Sequence, residues 1–440
     1  MIQNFTKSSS FLSILLLFQL AALAQFDVNG QLIERAEYRN GYGRIISTTT
    51  KPSGFIGQRL RLQVGYKMKK LQFYASIQDV RIWGNTSQIK ITDGLLSLHE
   101  GWAELAVDSF WSVKVGRQEL NYDNARFLGN LDWALQARAH DFALLKFEKK
   151  RSKLHIGIGY NQNAESLSES LYTITNQYKT AQMAWYNYKH KEFELSALFW
   201  NNGRQFIKYD SLNKVVDKDL RFSQTIGISA LKYSFWKNGI VSMFAYYQFG
   251  KDVSNQNLQA YDLSLQVSQV FSLNSEKKSS FKMTLGAELL SGTNSNNTSN
   301  LNRSFNPMYG TNHAHNGYMD YFYVGGRFEN SVGLTDIYIR MKYDINKKWF
   351  IAADVHNFMT NATIFKGTES LSKQLGLEID LTAGVIITED VSLQLGYSQF
   401  LPSYPSKYMQ TSNIAINQNW AYLMLVVRPK SPKKFIGILS

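Results

Sequence analysis

The stretch from Arg59 to Gln78, RLRLQVGYKMKKLQFYASIQ, decides the fold. Apolar side chains occupy every second position from Leu60 to Met68 and again from Leu71 to Ile77. Successive side chains of a β-strand point to opposite faces, so each run predicts a strand with one apolar and one polar face. A short basic turn, Lys69-Lys70, joins the two runs. The pattern recurs along almost the whole chain, which predicts one large antiparallel sheet.

The first residues predict export from the cytoplasm. Lys7 precedes an apolar stretch from Phe11 to Leu23, whose end overlaps the small-residue sequence Ala22-Leu23-Ala24. A charged start, a short apolar segment and a small-residue cleavage site are typical of a secretory signal peptide. The apolar stretch is shorter than the roughly 20 residues that a membrane-spanning helix needs. We therefore predict a signal peptide over residues 1–24 and a single domain over residues 25–440.

Composition narrows the class of protein. The chain has no cysteine, so the sheet itself must provide the stability that disulfides give many exported proteins. Aromatic residues are abundant (25 Tyr, 27 Phe and 9 Trp) and proline is scarce at 6, which suits long paired strands with aromatic girdles. A mean hydropathy of -0.27 fits a membrane barrel, because alternation hides the lipid-facing side chains among polar ones. The predicted class is all-β, an antiparallel transmembrane β-barrel in the outer membrane of a Gram-negative bacterium.

Connection lengths support the barrel. About 18 strand-like segments can be followed between Val28 and Val427. Short connections such as Asp108-Ser109 alternate with long ones, and the long ones are Asn40–Gly57, Glu119–His140, Gln162–Thr180, Asn201–Leu220, Ser291–Ser331 and Phe400–Gln418. Short turns at one rim and long loops at the other are typical of outer-membrane barrels. Roughly 16 to 18 strands enclose an aqueous channel, so we predict a pore unless a loop fills it.

The formal net charge of +14 bears on what the pore lining looks like. A Lys or Arg that faces lipid at the membrane midplane costs about 2–4 kcal/mol, so charges within strands are expected to face the lumen. The cations assigned to the lumen outnumber the acids, and arginine suits bidentate binding of carboxylates. Such a lining forms a structural network, favours anionic solutes, or does both.

A long motif follows the fifth predicted strand. From Val115 to Ala143 the chain reads VGRQELNYDNARFLGNLDWALQARAHDFA. This segment resembles the alginate export family of outer-membrane porins, and the matching residues are Gly116, Arg117, Gln118, Glu119, Leu120, Arg126, Gly129, Asn130, Trp133, Gln136, Arg138 and Asp141. The resemblance is densest over about residues 75–145. It implies an 18-stranded barrel whose arginine-rich constriction passes a polyanionic uronate polymer.

The same segment can be interpreted from its residues alone. Its charged side chains lie in or beside one long loop of the kind that folds into a lumen and narrows it. They either contact the solute or hold the loop to the wall, while Gly116 and Gly129 permit bends or close backbone approach. Together with the strand charges, the residues predicted to line the pore and bind substrate are Arg117, Arg126, Arg138, Lys114, Arg59, Arg61, Arg340, Glu119 and Asp141.

Signals for catalysis are weak. His99-Glu100 begins a zinc-protease-like pattern, but no histidine follows four residues after His99. No nucleophile elbow, phosphate-binding loop or cysteine-based site is present in the sequence. We therefore expect no enzyme activity, no metal and no cofactor.

The predicted function is passive passage of anionic solutes through a cationic lumen, with an acidic polysaccharide such as alginate as the specific case. The alternatives are a general or nutrient-uptake porin, or an outer-membrane enzyme or adhesion barrel. The expected partners are outer-membrane lipid, an anionic solute or polyuronate, and periplasmic secretion proteins. We expect no nucleic acid, because alternation and the signal peptide assign the basic and aromatic residues to the barrel.

Overall fold

A computed structural model describes residues 26–89, 94–323, 329–410 and 418–437. The predicted signal peptide, residues 1–24, lies outside the described residues. The described chain contains 21 strands, a 3₁₀ turn at Asn312–Ala314 and one helix, α1, at Tyr404–Gln410. No helix within these ranges is long and apolar enough to cross a membrane.

Eighteen strands are long and build the wall. The first nine are β1 Phe26–Asn40, β2 Ser53–Lys67, β3 Leu71–Ile82, β4 Leu96–Ala106, β5 Trp111–Gln118, β6 His140–Lys149, β7 Ser152–Tyr160, β8 Thr180–His190 and β9 Phe193–Tyr209. The other nine are β10 Val215–Phe235, β11 Gly239–Lys251, β12 Asn257–Asn274, β13 Ser279–Leu290, β15 Leu334–Asp344, β16 Trp349–Met359, β19 Gln374–Ile386, β20 Val391–Pro402 and β21 Gln418–Val427. Three two-residue strands lie in the loops: β14 Leu301–Asn302, β17 Phe365–Lys366 and β18 Glu369–Ser370.

The wall strands close into a barrel. Each pairs antiparallel with the next, and β13 pairs with β15 and β16 with β19 across the loops that carry the short strands. β21 pairs with β1, with Leu32 opposite Val427, so the sheet has no free edge. All 18 predicted strand segments have a counterpart in this wall, which confirms the predicted fold class.

Side chains along each wall strand alternate between two environments. On β2, Leu60 and Leu62 are exposed on the outer face, whereas Arg59 and Arg61 are buried on the lumen side. Every wall strand contributes exposed large apolar side chains to the outer face. This outer surface is the apolar band that a barrel presents to lipid.

Two residues predicted to line the pore lie on the outer face instead. Arg117 shares the parity of the exposed Val113 and Val115, and Asp141 shares that of the exposed Leu145. Their side chains pair with each other, with Arg117 Nη1 3.0 Å from Asp141 Oδ2, and are 40% and 58% exposed. Both lie near the long-loop ends of their strands, where an outward charge costs only about 0–1 kcal/mol. This corrects the prediction for Arg117 and Asp141.

One predicted loop is largely strand. Residues 201–220 were expected to form a loop, but β9 and β10 extend through most of them as a paired ribbon that turns at residues 210–214. Asp210 Oδ1 accepts hydrogen bonds from the backbone N–H groups of Leu212 and Lys214, both at 2.8 Å, and fixes this turn. Some of its apolar residues are sequence neighbours, as in Phe206-Ile207 and Val215-Val216, so the alternation that marks a lipid-facing strand is absent there.

Two long connections fold into the barrel. Residues 119–139, here called the inner loop, and residues 303–323, here called the second loop, pack against each other inside the wall. Gly129 N donates to Tyr309 O at 2.9 Å, and a Cβ on Gly129 would collide with Thr311. The predicted close backbone approach at Gly129 is thus confirmed. The buried core of the protein is therefore inside the barrel, where Phe127, Trp133 and Tyr309 belong to one apolar cluster.

Candidate solute-binding site in the lumen

Arg126 anchors the inner loop to the wall. Its Nε lies 3.1 Å from Asp262 Oδ2 and 2.8 Å from Glu288 Oε1, and all three side chains are almost fully buried. Its Nη1 and Nη2 donate to the side-chain oxygens of Asn312 and Asn316 on the second loop, at 3.3 and 3.0 Å. Burial lowers the pKa of Arg126, but the charges of the two carboxylates outweigh burial and leave this pKa above its ordinary value. Arg126 therefore holds both loops and the wall together, and no part of it faces open space.

Asp132 forms a second link between the inner loop and the wall. Its Oδ1 lies 2.7 Å from Arg59 Nη2, and its Oδ2 lies 2.6 Å from Nη2 of Arg428, the residue that follows β21. Burial raises the pKa of Asp132, but the two guanidinium charges outweigh burial and hold this pKa well below its ordinary value. Arg59 is fully buried, so its charge is used within this link.

A third link joins Glu119 to strand β4. A bulge in the pairing of β3 with β4 accompanies the inward orientation of both His99 and Glu100. Their ligand atoms and that of Glu119 lie within 4.8 Å of one another, the only such group of three histidine or acidic residues in the described ranges. One nitrogen and two oxygens suit a divalent cation. However, His99 Nε2 and Glu119 Oε1 bond each other at 2.9 Å, Asn130 Nδ2 donates to Glu119 Oε2 at 2.8 Å, and we assign the group to loop anchoring.

A large cavity opens on the long-loop side of the inner loop. Its volume is about 790 Å³, and we call it the outer cavity. Five arginines line it against two carboxylates; these residues are Arg35, Arg39, Arg44, Arg81, Arg138, Glu37 and Asp320. Glu37 lies 2.8 Å from both Arg35 and Arg39, so one carboxylate neutralises only one of two guanidinium groups. The cavity therefore carries excess positive charge.

Aromatic rings lie beneath the guanidinium groups of the outer cavity. The Arg35 guanidinium lies 4.4 Å from the ring centre of Trp133, and that of Arg39 lies 4.2 Å from the ring centre of Tyr42. Stacking of this kind holds a guanidinium in place. Both groups also donate to Glu37, and Arg35 Nη1 donates to Trp133 O at 2.7 Å, so the cavity wall carries fixed guanidinium groups.

Arg138 lines the outer cavity without a carboxylate partner. Its Nη1 donates to Gly310 O at 3.0 Å, and no carboxylate lies within 4 Å of it in the described ranges. Burial lowers the pKa of Arg138 to about 10, so the group stays charged at neutral pH. A half-buried cation that donates only to carbonyl oxygens keeps its charge uncompensated and attracts an anion.

A smaller cavity of about 160 Å³, the inner cavity, lies between the two loops and the short-turn rim. Four cations line it against two carboxylates; these residues are Lys232, Lys282, Lys342, Arg340, Glu288 and Asp354. Arg340 Nε lies 3.6 Å from Asp354 Oδ2, whereas Lys282 has no ion pair within 4 Å in the described ranges. The inner cavity therefore also carries excess positive charge.

The predicted site residues thus separate into groups. Arg138 and Arg340 line the cavities, and Lys114 faces the lumen 3.8 Å from the ring centre of Trp102. Arg59, Arg61, Arg126 and Glu119 belong to the links that hold the inner loop, and Arg61 donates to Gln78 Oε1 at 2.7 Å.

Sequence reasoning missed three arginines of the outer cavity, Arg39, Arg44 and Arg81. For Arg39 a signal was present, because Arg35, Glu37 and Arg39 share one parity on β1. Arg44 lies in an irregular loop, where alternation gives no direction.

Comparisons with known proteins agree with the barrel. No protein-family model matches the chain, and no curated protein matches its sequence. Among solved structures, the chain is similar to OccK3 (OpdO) of Pseudomonas aeruginosa, with a TM-score of 0.57 and 12% identity over 93% of this chain and 98% of that one. It is similar to OpdL of the same organism, with a TM-score of 0.56 and 13% identity over 92% and 99% of the two chains. OpdK, named as an outer membrane protein, gives 0.56 and 12% over 91% and 98%.

These likenesses establish the fold. The chain shares its barrel fold with these Pseudomonas aeruginosa proteins, in agreement with the predicted outer-membrane localisation. They do not support membership of the alginate export family, whose resemblance rests on sequence motifs, densest over about residues 75–145.

Proposed function

We propose that this protein is an outer-membrane channel for small anionic solutes, which bind in the outer cavity and leave through the inner cavity. The observation that carries the proposal is the charge of both cavities, which place nine cations against four lining carboxylates. Three further carboxylates, Asp79, Glu194 and Asp344, pair with Arg81, Lys232 and Lys342, which still leaves the cations in excess. Fixed cations that line a lumen favour anions and exclude cations. Because the outer and inner cavities are both basic, an anion that leaves one cavity reaches a second basic cavity.

The chemistry of the outer cavity favours a carboxylate with an apolar or aromatic body. Guanidinium groups bind carboxylates through paired N–H donors, and Phe55 and Val80 add apolar side chains to the lining of the cavity. One OpdK structure contains vanillate, an aromatic carboxylate, in a barrel of the same fold. An acidic polysaccharide is the less favoured substrate, because two loops fill the lumen between the cavities.

The experiment is ion-selectivity measurement in planar bilayers with Arg138→Gln, Lys282→Gln and the matched control Arg117→Gln. Arg117 has the same side chain as Arg138 but lies on the outer face. We expect the anion-to-cation permeability ratio to fall in the first two variants and to stay unchanged in the control. Equal ratios in all three variants and the unaltered protein would contradict the proposal.

Substrate size is tested in the same bilayers. Small carboxylates are expected to carry current as the main anion, whereas uronate oligomers are expected to block without passing. A sustained current carried by uronate oligomers, or a lower current of other anions while uronate is present, would instead favour a polysaccharide. Equal block by uronate and by neutral oligosaccharides of the same length would leave a general porin.

A further inference from the structure

The chain after the last strand turns back into the barrel. Strand β21 ends at Val427, at the short-turn rim, and the tail continues through residues 428–437. At the rim, Pro429 O accepts a hydrogen bond from Asn29 Nδ2 at 2.9 Å, and Lys430 N donates to Asp390 Oδ1 at 3.3 Å. Beyond this point the backbone of the tail leaves the rim and lies along the lumen side of β20.

Gln394 on the lumen face of β20 binds the tail through both ends of its amide. Its Nε2 donates to Ile436 O at 3.0 Å, and its Oε1 accepts from Ile436 N at 3.2 Å. This two-bond arrangement imitates strand pairing and fixes the tail backbone in direction as well as position. The Ile436 side chain is buried, with 4% exposed.

Two glycines allow the tail to fit closely. The Phe435 ring packs against Phe350 at 4.7 Å between ring centres, beside Gly384, where any Cβ would contact both rings. Gly437 has φ +75° and lies against the indole of Trp133 on the inner loop, so closely that a Cβ would overlap that ring. The tail thus spans the lumen from the periplasmic rim to the underside of the inner loop.

We propose that residues 433–437 form an intraluminal plug that narrows the periplasmic half of the channel and is displaced without unfolding the barrel. This rests on the proposed function, because a plug acts only on a lumen that conducts. The docking contacts are hydrogen bonds to Gln394 and Ser392 on β20, one ring pair and one glycine against an indole. None of them belongs to the closing pairing of β21 with β1. Displacement therefore leaves the wall intact and frees the lumen face of β19 and β20.

The test compares single-channel conductance of the full chain with a chain that ends at Pro432. That truncation keeps β21, Arg428 and the contacts of Pro429 and Lys430 at the rim, and it removes only residues 433–440. The matched control is Lys433→Gln with Lys434→Gln, which removes the same two charges but keeps Phe435, Ile436 and Gly437. We expect the truncated chain to conduct at least about two-fold more, because current scales with the open cross-section, and the control to conduct like the full chain.

A second measurement reports docking without any current. The chain has no cysteine, so Ile436→Cys and Lys433→Cys each introduce a single thiol. Lys433 is exposed, whereas Ile436 is buried. We therefore expect the thiol of the Lys433→Cys variant to react with a maleimide at least about ten-fold faster than the thiol of the Ile436→Cys variant. Adding Gly437→Val to each variant should remove this difference.

Three outcomes overturn the proposal. Equal conductance of truncated and full chains, both shown to be folded by heat-modifiable migration, would mean that the tail obstructs nothing. Equal thiol reactivity at 433 and 436 would mean that the tail is not docked. Absence of current from both chains would overturn the channel and the plug together, whereas an open full-length channel that truncation leaves unchanged overturns the plug alone.

Discussion

Replacing Arg126 with methionine should strongly destabilise the closed lumen. The guanidinium lies between Asp262 and Glu288, and all three side chains have at most 3% of their surface exposed. Removing one partner of a buried ion pair costs about 3–5 kcal/mol, because the remaining charge is buried without compensation. Methionine has a long unbranched side chain that fills much of the same space, so an empty cavity contributes little to this loss of stability. The expected loss for Arg126→Met is therefore about 3–5 kcal/mol.

The assay is urea-induced unfolding of the barrel in lipid vesicles, followed by tryptophan fluorescence and by heat-modifiable migration. Arg117→Met is the matched control, because Arg117 also pairs with a carboxylate but is 40% exposed. Exposed pairs contribute about 0–1 kcal/mol, so the control should unfold almost like the unaltered protein.

A further variant separates charge from shape. Arg126→Met combined with Asp262→Asn and Glu288→Gln removes the uncompensated charges and should recover most of the lost stability, because neutral replacement of a buried ionic cluster is often tolerated. The reasoning is refuted if Arg126→Met and Arg117→Met lose equal stability, or if the triple variant is less stable than Arg126→Met.

Three other predictions test separate features. Asp132→Asn should lower stability at pH 7, and this loss should be smaller at pH 2: the pKa of Asp132 is depressed in the fold, so its stabilisation is fully present above about pH 4, the ordinary pKa of an aspartate, and decreases as the pH falls from there towards the depressed pKa of the folded state; unfolding midpoints at the two pH values check this. Gly129→Val should destabilise the protein by about 1–3 kcal/mol by forcing apart the inner and second loops, whereas Gly94→Val, where a Cβ meets nothing within 4 Å, should not. A chelator should leave the unfolding midpoint unchanged, since His99 already has a protein partner; a lower midpoint in the chelator would assign a metal to that group.

The wall could be predicted from the sequence because its information is local. A strand that faces lipid on one side and water on the other must alternate apolar and polar side chains. Every wall strand does so over the part that crosses the membrane. The pattern is lost where apolar residues are sequence neighbours, as in Phe206-Ile207 and Val215-Val216, which is why the extension of β9 and β10 through residues 201–220 is predicted as a loop. For Arg117 the alternation was readable and points its side chain outward. The prediction placed it in the lumen because it applied the midplane cost of a lipid-facing charge, whereas Arg117 lies near the strand end, where that cost is small.

The roles of the loop arginines could not be predicted in the same way. Arg126 and Arg138 both lie in the inner loop, inside the lumen. Arg126 is buried between two carboxylates, whereas Arg138 donates only to carbonyl oxygens. Which partner each one meets depends on strands β12 and β13 and on the second loop, more than 100 residues away in the chain. The docking of Gly437 against Trp133 is equally remote in sequence.

The arrangement of the two cavities gives Arg126 a role in permeation that differs from contact with a solute. His313 lines the outer cavity and His315 lines the inner cavity, so the short segment between them separates the two. Asn312 and Asn316, which flank that segment, are both held by Arg126. The wall is closed by antiparallel pairing and cannot widen, so a solute that passes from one cavity to the other must displace the segment that Arg126 holds. On this reasoning Arg126→Met should raise the frequency of open events while leaving ion selectivity unchanged, whereas Arg138→Gln should change selectivity and leave the frequency of opening unaltered. Single-channel records of the two variants would show whether one arginine of the motif controls opening and the other controls selection.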